Sequence, residues 1–358
     1  MNTSSRLALL RAAFFGLNCD AVVIANLTNV RYLCGFTGSA GMVVISKDKA
    51  FFITDFRYQQ QAASQVPPEY SVVVAKKGLW PEAAKILKKS AKIGFEAEHT
   101  SVAAWEENKK LFAPRELVAT SRLIENLRMQ KDEGEVEIMK RAIRVADEAM
   151  EYIFGVLRPG LSEREVSDEL LHQIKQRGAS GPSFDFIVAS GARGALPHGV
   201  ASDKVLQLGE MVTIDMGAIV DGYCSDLTRT VCIGKPTRQQ QKIYEIVWQA
   251  QTESSAKLRA GMGCKAADKI ARDIISQAGY KDHFGHGLGH GVGMQIHEPP
   301  RVSHLGKGKL QIGNVVSCEP GIYIPDWGGV RIEDLLLITK TGAEILSGAP
   351  KPRKLIIV

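Results

Sequence analysis

No stretch of the 358-residue chain approaches the roughly 18 uninterrupted apolar residues of a membrane-spanning helix. The segment from Leu7 to Leu17 is mostly apolar, but Arg11 interrupts it and Asp20 follows without a small-residue cleavage site, so it reads as mature protein. Six cysteines (Cys19, Cys34, Cys224, Cys232, Cys264, Cys318) contain no C-x-x-C pair and are thinly spread. That argues against a disulfide framework or structural zinc site and for a reducing, cytoplasmic setting. Lysine and arginine number 45 against 39 aspartates and glutamates, a net +6 with no basic block, so nucleic acid is not the expected partner. Fixed-period repeats and low-complexity runs are lacking too. What remains is a soluble, folded chain, 45% apolar and 23% charged, of a length that suggests two or three domains.

The first 120 or so residues alternate helix-like and strand-like segments. Leu7, Leu10, Phe14 and Leu17 share one face of a helix that Ser4 or Ser5 would cap. Strands are expected at Ala21 to Ala25, Met42 to Ser46, Ala50 to Thr54, Ser71 to Ala75 and Lys92 to Phe95, with a helix from Pro81 to Lys89. This is a small α/β domain, complete near Arg122, and the boundary is placed at about residue 128, giving domains 1–128 and 129–358.

Beyond it, Val136, Met139, Ile143, Ala146, Met150, Ile153 and Leu157 follow helical spacing, capped by Asp132 and stopped by Pro159-Gly160 about seven turns later. Ser162 to Glu165 is a capping box for a second helix ending near Gly178. Two more helical stretches, from about Gln239 to Arg259 and Ala266 to Gln277, lie among strand-like segments, so the second domain is α+β.

Three clusters carry chemistry. In Met211 to Ile233, two β-rich runs flank Asp221-Gly222, a strong hairpin signal. With that turn, Asp215 faces Thr228 and Asp226 faces Gly217, and the period-2 rule puts both carboxylates on one face, about 7 to 8 Å apart at the backbone. Alone, such a hairpin more often carries one solvated aspartate and one local turn contact. It is joined by F-G-H-G-L-G-H-G-V-G-M-Q-I-H-E-P-P from Phe284, where His286, His290 and His297 sit among glycines too dense for a stable helix. The third cluster, Ser317 to Asp334, places Glu319 and Glu333 in strand-like segments either side of Asp326-Trp327-Gly328-Gly329. A simple hairpin count puts these glutamates on opposite faces, with Pro320-Gly321 as a bulge that resets the alternation. Two Asp, two Glu and at least one His form a set suited to hard or borderline divalent ions, and that many carboxylates suggest two ions sharing a water.

These residues resemble the pita-bread-fold metallopeptidases, in the aminopeptidase P and prolidase (Xaa-Pro dipeptidase) branch. That family orders its ligands Asp, Asp, His, Glu, Glu, with the aspartates eleven positions apart, as at Asp215, Asp226, His290, Glu319 and Glu333. S-F-D-F-I-V-A-S-G from Ser183, P-H-G at Pro197, H-G-L-G-H from His286, E-P-G at Glu319 and R-I-E-D at Arg331 look like its motifs. The resemblance implies a small α/β N-terminal domain followed by a pita-bread (creatinase/aminopeptidase-like) catalytic domain.

It further implies two divalent ions, Mn²⁺ first with Co²⁺, Zn²⁺ or Fe²⁺ compatible, and attack by a metal-bridging hydroxide. His198, His286 and His297 lie toward substrate, Tyr323 and Arg331 lie beside the metals, and Glu319 takes a proton from the bridging water. Arg301 is a candidate for holding a substrate carboxylate bidentately. G-F-T-G-S at Gly35 to Ser39 looks more like the aminopeptidase P side, so hydrolysis of the N-terminal Xaa-Pro bond of longer peptides is the first expectation and strict Xaa-Pro dipeptidase activity the alternative. More distant readings are a methionine-type aminopeptidase, against which His286 and the extra domain argue, and a metal-free binding relative, against which the intact ligand set argues. The resemblance also implies a homodimer in which the N-terminal domain of one subunit helps close its partner's active site.

Overall fold

The computed structural model describes residues 3–358, apart from the side chains of Phe14 and Phe15, so the expected place of Phe14 on the first helix face lies outside the described residues. The chain divides into two compact units, Met1–Arg128 and Met129–Val358.

In the first unit the helix Thr3–Phe14 buries Leu7 and Leu10, as their spacing predicts. It begins before Ser4 and Ser5, which therefore lie in the first turn instead of capping it, and the Ser4 hydroxyl donates to the Glu69 carboxylate. A six-stranded sheet runs in the order Ser71–Val74, Ala50–Thr54, Met42–Ser46, Ala21–Ile24, Lys92–Glu96, Glu116–Thr120. Ala21–Ile24 is central, antiparallel to Met42–Ser46 and parallel to Lys92–Glu96, and all four of its residues are buried, which is why it reads as a continuous apolar run. The helix expected from Pro81 starts earlier and spans Leu79–Ile86; Pro81 falls within its first turn, where no amide partner is lost. Sequence reading misses the short helix Leu27–Cys34, the helix Val102–Phe112 and the strand Glu116–Thr120. The first of these has too few turns for a periodic signal and is started by Asn26, whose Oδ1 accepts from the Thr28 amide at 3.0 Å.

The second unit is two helix pairs, each packed over a broken hairpin. Glu133–Phe154 opens on a full capping box between Asp132 and Glu135 and stops at Gly155, so it has six turns and ends well before Pro159. It packs with Glu163–Gln176 over the first hairpin, burying Val145, Ala149, Ile153, Val166 and Leu170 against Val212, Ile214 and Leu227. The helices Arg238–Lys257 and Cys264–Gln277 pack in the same way over the second, burying Ile243, Val247, Ala267 and Ala271 with Val316, Ile322, Val330 and Leu336.

The first hairpin has the register read from sequence: Val220 pairs with Tyr223 and Thr228 with Asp215. Asp221 and Gly222 both take positive φ, 48° and 83°, as a two-residue turn of this hand requires. The ladder breaks into two sheets at Gly217, where a Cβ would collide with the Ser225 carbonyl and the Ser183 hydroxyl. The second hairpin breaks likewise. Cys318 pairs with Asp334 below the break and Gly321 with Arg331 above it, leaving Glu319-Pro320 opposite Ile332-Glu333.

The opposite-face count for Glu319 and Glu333 is therefore wrong. The turn is Pro325-Asp326-Trp327, because Gly328 already pairs with Ile324, and both strands lose the same number of residues at the break. The two glutamates lie level with each other, with no bulge needed to reset them. One further pairing, Ile356–Ile357 along Val231–Cys232, closes the edge of the sheet that carries Asp215.

Candidate metal centre

Asp215 comes from the strand Met211–Met216, Asp226 from the break of the first hairpin and Glu333 from the break of the second. Their ligand oxygens all lie within 4.8 Å of one another, with Asp226 and Glu333 buried. His290, on the short strand Gly289–Gly291, brings Nε2 to 3.6 Å from Asp226 and 3.5 Å from Glu319. Its Nδ1–H donates to the Gly291 carbonyl at 3.1 Å, which leaves Nε2 as the lone pair facing the carboxylates. Gly289 is required here, since any Cβ would strike the Ser317 carbonyl. The five residues thus form a carboxylate triad and a His290–Glu319 pair, with Asp226 in reach of both.

Four clustered carboxylates that share a single guanidinium partner, Arg331 on Asp215, are costly to keep charged. Burial, aided by Glu333, Asp215 and Glu319, pushes the Asp226 carboxyl well above its usual range. Burial does the same to Glu333, with Glu319 and Asp215 adding to it, and raises Glu319 against the opposing pull of His286 and Arg331. Asp215 Oδ1 and Glu333 Oε1 are buried and have no hydrogen-bond partner. Such orphaned oxygens in a cluster of like charge fit divalent cations, and the donor set of carboxylates plus one neutral imidazole suits Mn²⁺, Co²⁺, Zn²⁺ or Fe²⁺.

Around the centre runs a hydrogen-bonded chain. His286 donates from Nδ1 to the Gly287 carbonyl at 2.8 Å and accepts at Nε2 from the Tyr323 hydroxyl, also at 2.8 Å. The Tyr323 oxygen accepts from Arg331 at 2.9 Å, and Arg331 donates to Asp215 at 2.7 Å, to Thr228 at 3.2 Å and to the Pro197 carbonyl at 3.2 Å. Burial works against the charge on Arg331, but Tyr323, Asp215 and Glu319 outweigh it and hold the guanidinium charged. Burial also pushes the Tyr323 phenol up to about 12, so it remains a donor at neutral pH.

Nearer the opening, the His297 ring lies 4.3 Å from that of His290, and His297 and His198 are both exposed and close enough to influence each other electrostatically. Arg301 is exposed and pairs directly across from His290. Two contributors escape sequence reading. Thr228 donates to Glu333 at 2.6 Å, and Ser317 donates to Glu319 at 3.2 Å while accepting from the His290 amide at 3.1 Å. The hairpin register, which sets Thr228 opposite Asp215, already held the signal for the first.

Residues 137–340 match Metallopeptidase family M24, and residues 6–130 match the Creatinase/Prolidase N-terminal domain. The chain belongs to metallopeptidase family M24. It is 41% identical over 330 residues to a Xaa-Pro dipeptidase of Pyrococcus furiosus, covering 92% of this chain and 93% of that protein. A Xaa-Pro dipeptidase structure from Bacillus anthracis matches with a TM-score of 0.96 and 44% identity over 100% of both chains. An X-Pro aminopeptidase from Thermotoga maritima matches with a TM-score of 0.90 and 35% identity, covering 97% of this chain and 100% of that one. The protein is accordingly a metallopeptidase of mixed helix and sheet with the pita-bread catalytic fold, and none of its described helices is long and apolar enough to cross a membrane.

Three residues of the motif that points toward aminopeptidase P serve local packing. Gly35 caps a helix at φ 76°, Phe36 packs on Phe52 at 4.6 Å, and a Cβ on Gly38 would collide with the rings of Phe36 and Tyr58. Phe36 thereby belongs to the core of the N-terminal unit, while Thr37 and Ser39 are exposed.

Proposed function

We propose that the protein is a Xaa-Pro dipeptidase working with two divalent ions, manganese first, held by Asp215, Asp226, His290, Glu319 and Glu333. The observation that carries this reading is the position of Asp226, a member of the carboxylate triad that also lies 3.6 Å from His290 of the His290–Glu319 pair, so that the five residues would give two ions their ligands. Support for the dipeptidase over the aminopeptidase comes from the Xaa-Pro dipeptidase relatives, and the reading extends to a homodimer and a cytoplasmic setting. Ions bound there supply Lewis acidity and lower the pKa of a coordinated water.

The side chains around them divide the remaining work. Glu319, 3.5 Å from His290, would carry a proton to the leaving proline nitrogen. His297 is lowered by burial and by the neighbouring His290 and His198, so near pH 7 it is neutral with one N–H to donate to the scissile carbonyl oxygen as charge develops there. His198 and His286 complete the substrate side, with His286 oriented by Tyr323 and Arg331. Arg301 offers a planar fork to the free carboxylate that only a dipeptide has next to the scissile bond.

Hydrolysis of a Xaa-Pro dipeptide and a matched Xaa-Pro-Xaa tripeptide, with Mn²⁺ and with chelator, tests the reading. The dipeptide is expected to be cut, the tripeptide far more slowly, and both activities to vanish on chelation. Equal cleavage of both would favour the aminopeptidase reading, which the Thermotoga maritima likeness supports. His297→Ala is expected to lower kcat by roughly 10²- to 10³-fold with KM little changed; a change confined to KM would remove His297 from the oxyanion role.

A further inference from the structure

We infer that Glu163, remote from the ligand set, is the residue that positions the His198 loop. Glu163 opens the helix Glu163–Gln176, and its side chain is fully buried. A first-turn carboxylate ordinarily faces water and answers the helix dipole. Here it turns inward and accepts from three separate points of the segment that carries His198. Oε1 takes the Ser190 amide at 2.8 Å and the Ser190 hydroxyl at 2.9 Å. Oε2 takes Arg193 Nε at 3.0 Å, the Ser202 amide at 3.2 Å and the Ser202 hydroxyl at 2.6 Å. Ser190 and Ser202 are the two ends of the loop, so one carboxylate ties its base shut.

Arg193 extends the tie into the loop, beside the Ile187–Val200 bridge and the Lys204 contact to Ser190 that also hold it. Arg193, held by Glu163, donates its Nη2 to the Val200 carbonyl at 2.7 Å, which brings the outgoing limb across to the short helix Gly191–Ala195. Between them Pro197-His198-Gly199 makes a tight turn closed by the Gly199 amide on the Leu196 carbonyl at 3.0 Å. Arg331 joins the turn to the catalytic network by donating to the Pro197 carbonyl. His198 itself is exposed, and its imidazole has no hydrogen-bond partner among the described residues, so its placement depends on the backbone beneath it. Buried acceptors that satisfy five donors define one loop geometry, because any other leaves buried amides unpaired.

The inference rests on the proposed function in one respect, the contact of His198 with substrate. Glu163→Gln keeps the shape but replaces one acceptor oxygen with an amide donor, which must face either the Ser190 donors or those of Ser202 and Arg193. Arg193→Gln removes the middle of the tie while leaving Glu163 at the helix start. Both variants are tested as the full metal-loaded chain by hydrogen exchange and by kcat, alone and combined with His198→Ala.

Glu163→Gln is expected to speed exchange in residues 191–202 and to leave the strand 211–216 unchanged. It should lower kcat by about 10- to 100-fold in the native background, the scale of a misplaced catalytic group. In the His198→Ala background the further loss should stay within about 2-fold, because residues acting as one unit are not additive. Arg193→Gln should give the same pattern at smaller amplitude. Equal kcat losses in both backgrounds, exchange rising equally in 211–216, or an unaffected loop in both variants would overturn the inference and leave Glu163 as a helix-end residue. If the loop loosens while His198→Ala alone costs nothing, the tie stands and it is the substrate role of His198 that falls.

Discussion

Asp226→Asn is expected to reduce Xaa-Pro hydrolysis below detection and, in the same protein, to raise the melting temperature of the metal-free form. Both follow from its shared position. Asp226 belongs to the carboxylate triad and lies 3.6 Å from His290 of the His290–Glu319 pair, so on the proposed assignment its loss removes a ligand from each group. Its carboxyl is held well above the usual range by burial, with Glu333, Asp215 and Glu319 adding to the strain. A carboxylate whose folded pKa is raised contributes no penalty below its unfolded pKa near 3.8, and a growing one as pH rises toward the folded value. Asparagine is neutral throughout. In chelator the variant should therefore melt above the native protein at pH 8, by about 2 to 4 °C for each kcal/mol relieved, with a smaller gap at pH 5. Added Mn²⁺ should reverse the order, since ligand binding stabilises only the form that can bind. A variant that melts below the native chain in chelator at pH 8, or that keeps activity, would refute the shared-ligand assignment.

Arg331→Met should show the opposite pairing of effects, with activity and stability lost together. Among the described residues the guanidinium is the one cation hydrogen-bonded into the carboxylate cluster, and it satisfies Asp215, Tyr323, Thr228 and the Pro197 carbonyl at once. Removing one side of a buried pair costs about 3 to 5 kcal/mol because the remaining charge stays buried. Asp215 loses its orientation in the same step, and loss of such an outer partner lowers metal affinity or activity by roughly 10- to 100-fold. Tyr323→Phe is the control, deleting only the hydroxyl between His286 and Arg331, at about 1 kcal/mol. Thermal melts and kcat for the two variants decide it; an Arg331→Met protein that melts like Tyr323→Phe would show that Asp215 needs no such anchor.

What could be read from sequence depended on how local the determining feature was. Asp221-Gly222 announces its own turn, so the register of the first hairpin and the alignment of Asp215 with Thr228 follow from counting. The second hairpin turns on Pro325-Asp326-Trp327, and two adjacent glycines blur where turn ends and strand begins, so the count starts from the wrong pair and Glu319 and Glu333 appear to diverge. Capping boxes at Asp132 and Ser162 identify helix starts because both partners lie within four residues. Helix ends are less legible: the spacing of Leu157 continues the apolar face after the backbone has left the helix at Gly155, and the core accepts it regardless. Glu163 and Ser317 are silent in one dimension, the first disguised as a helix-start acid and the second as an ordinary strand serine. The Gly35–Ser39 motif shows the reverse hazard, a recognisable string whose glycines and aromatics serve local packing.

The strand Leu227–Cys232 has a consequence for the order in which the molecule is made. Arg229, buried beside the ligands, donates to the Glu333 and Thr228 carbonyls and to Asp334, but also to the carbonyls of Ala349 and Pro350. Lys351 reaches back to Asp334, and Ile356–Ile357 supplies the outer neighbour of that strand. The N-terminal unit needs nothing beyond Arg128 to form its sheet and can fold while the ribosome is still working. The catalytic unit cannot. The strands Met211–Met216 and Leu227–Cys232 lack the carbonyls that seat Arg229 and the outer neighbour of their sheet until residues 349–357 have emerged.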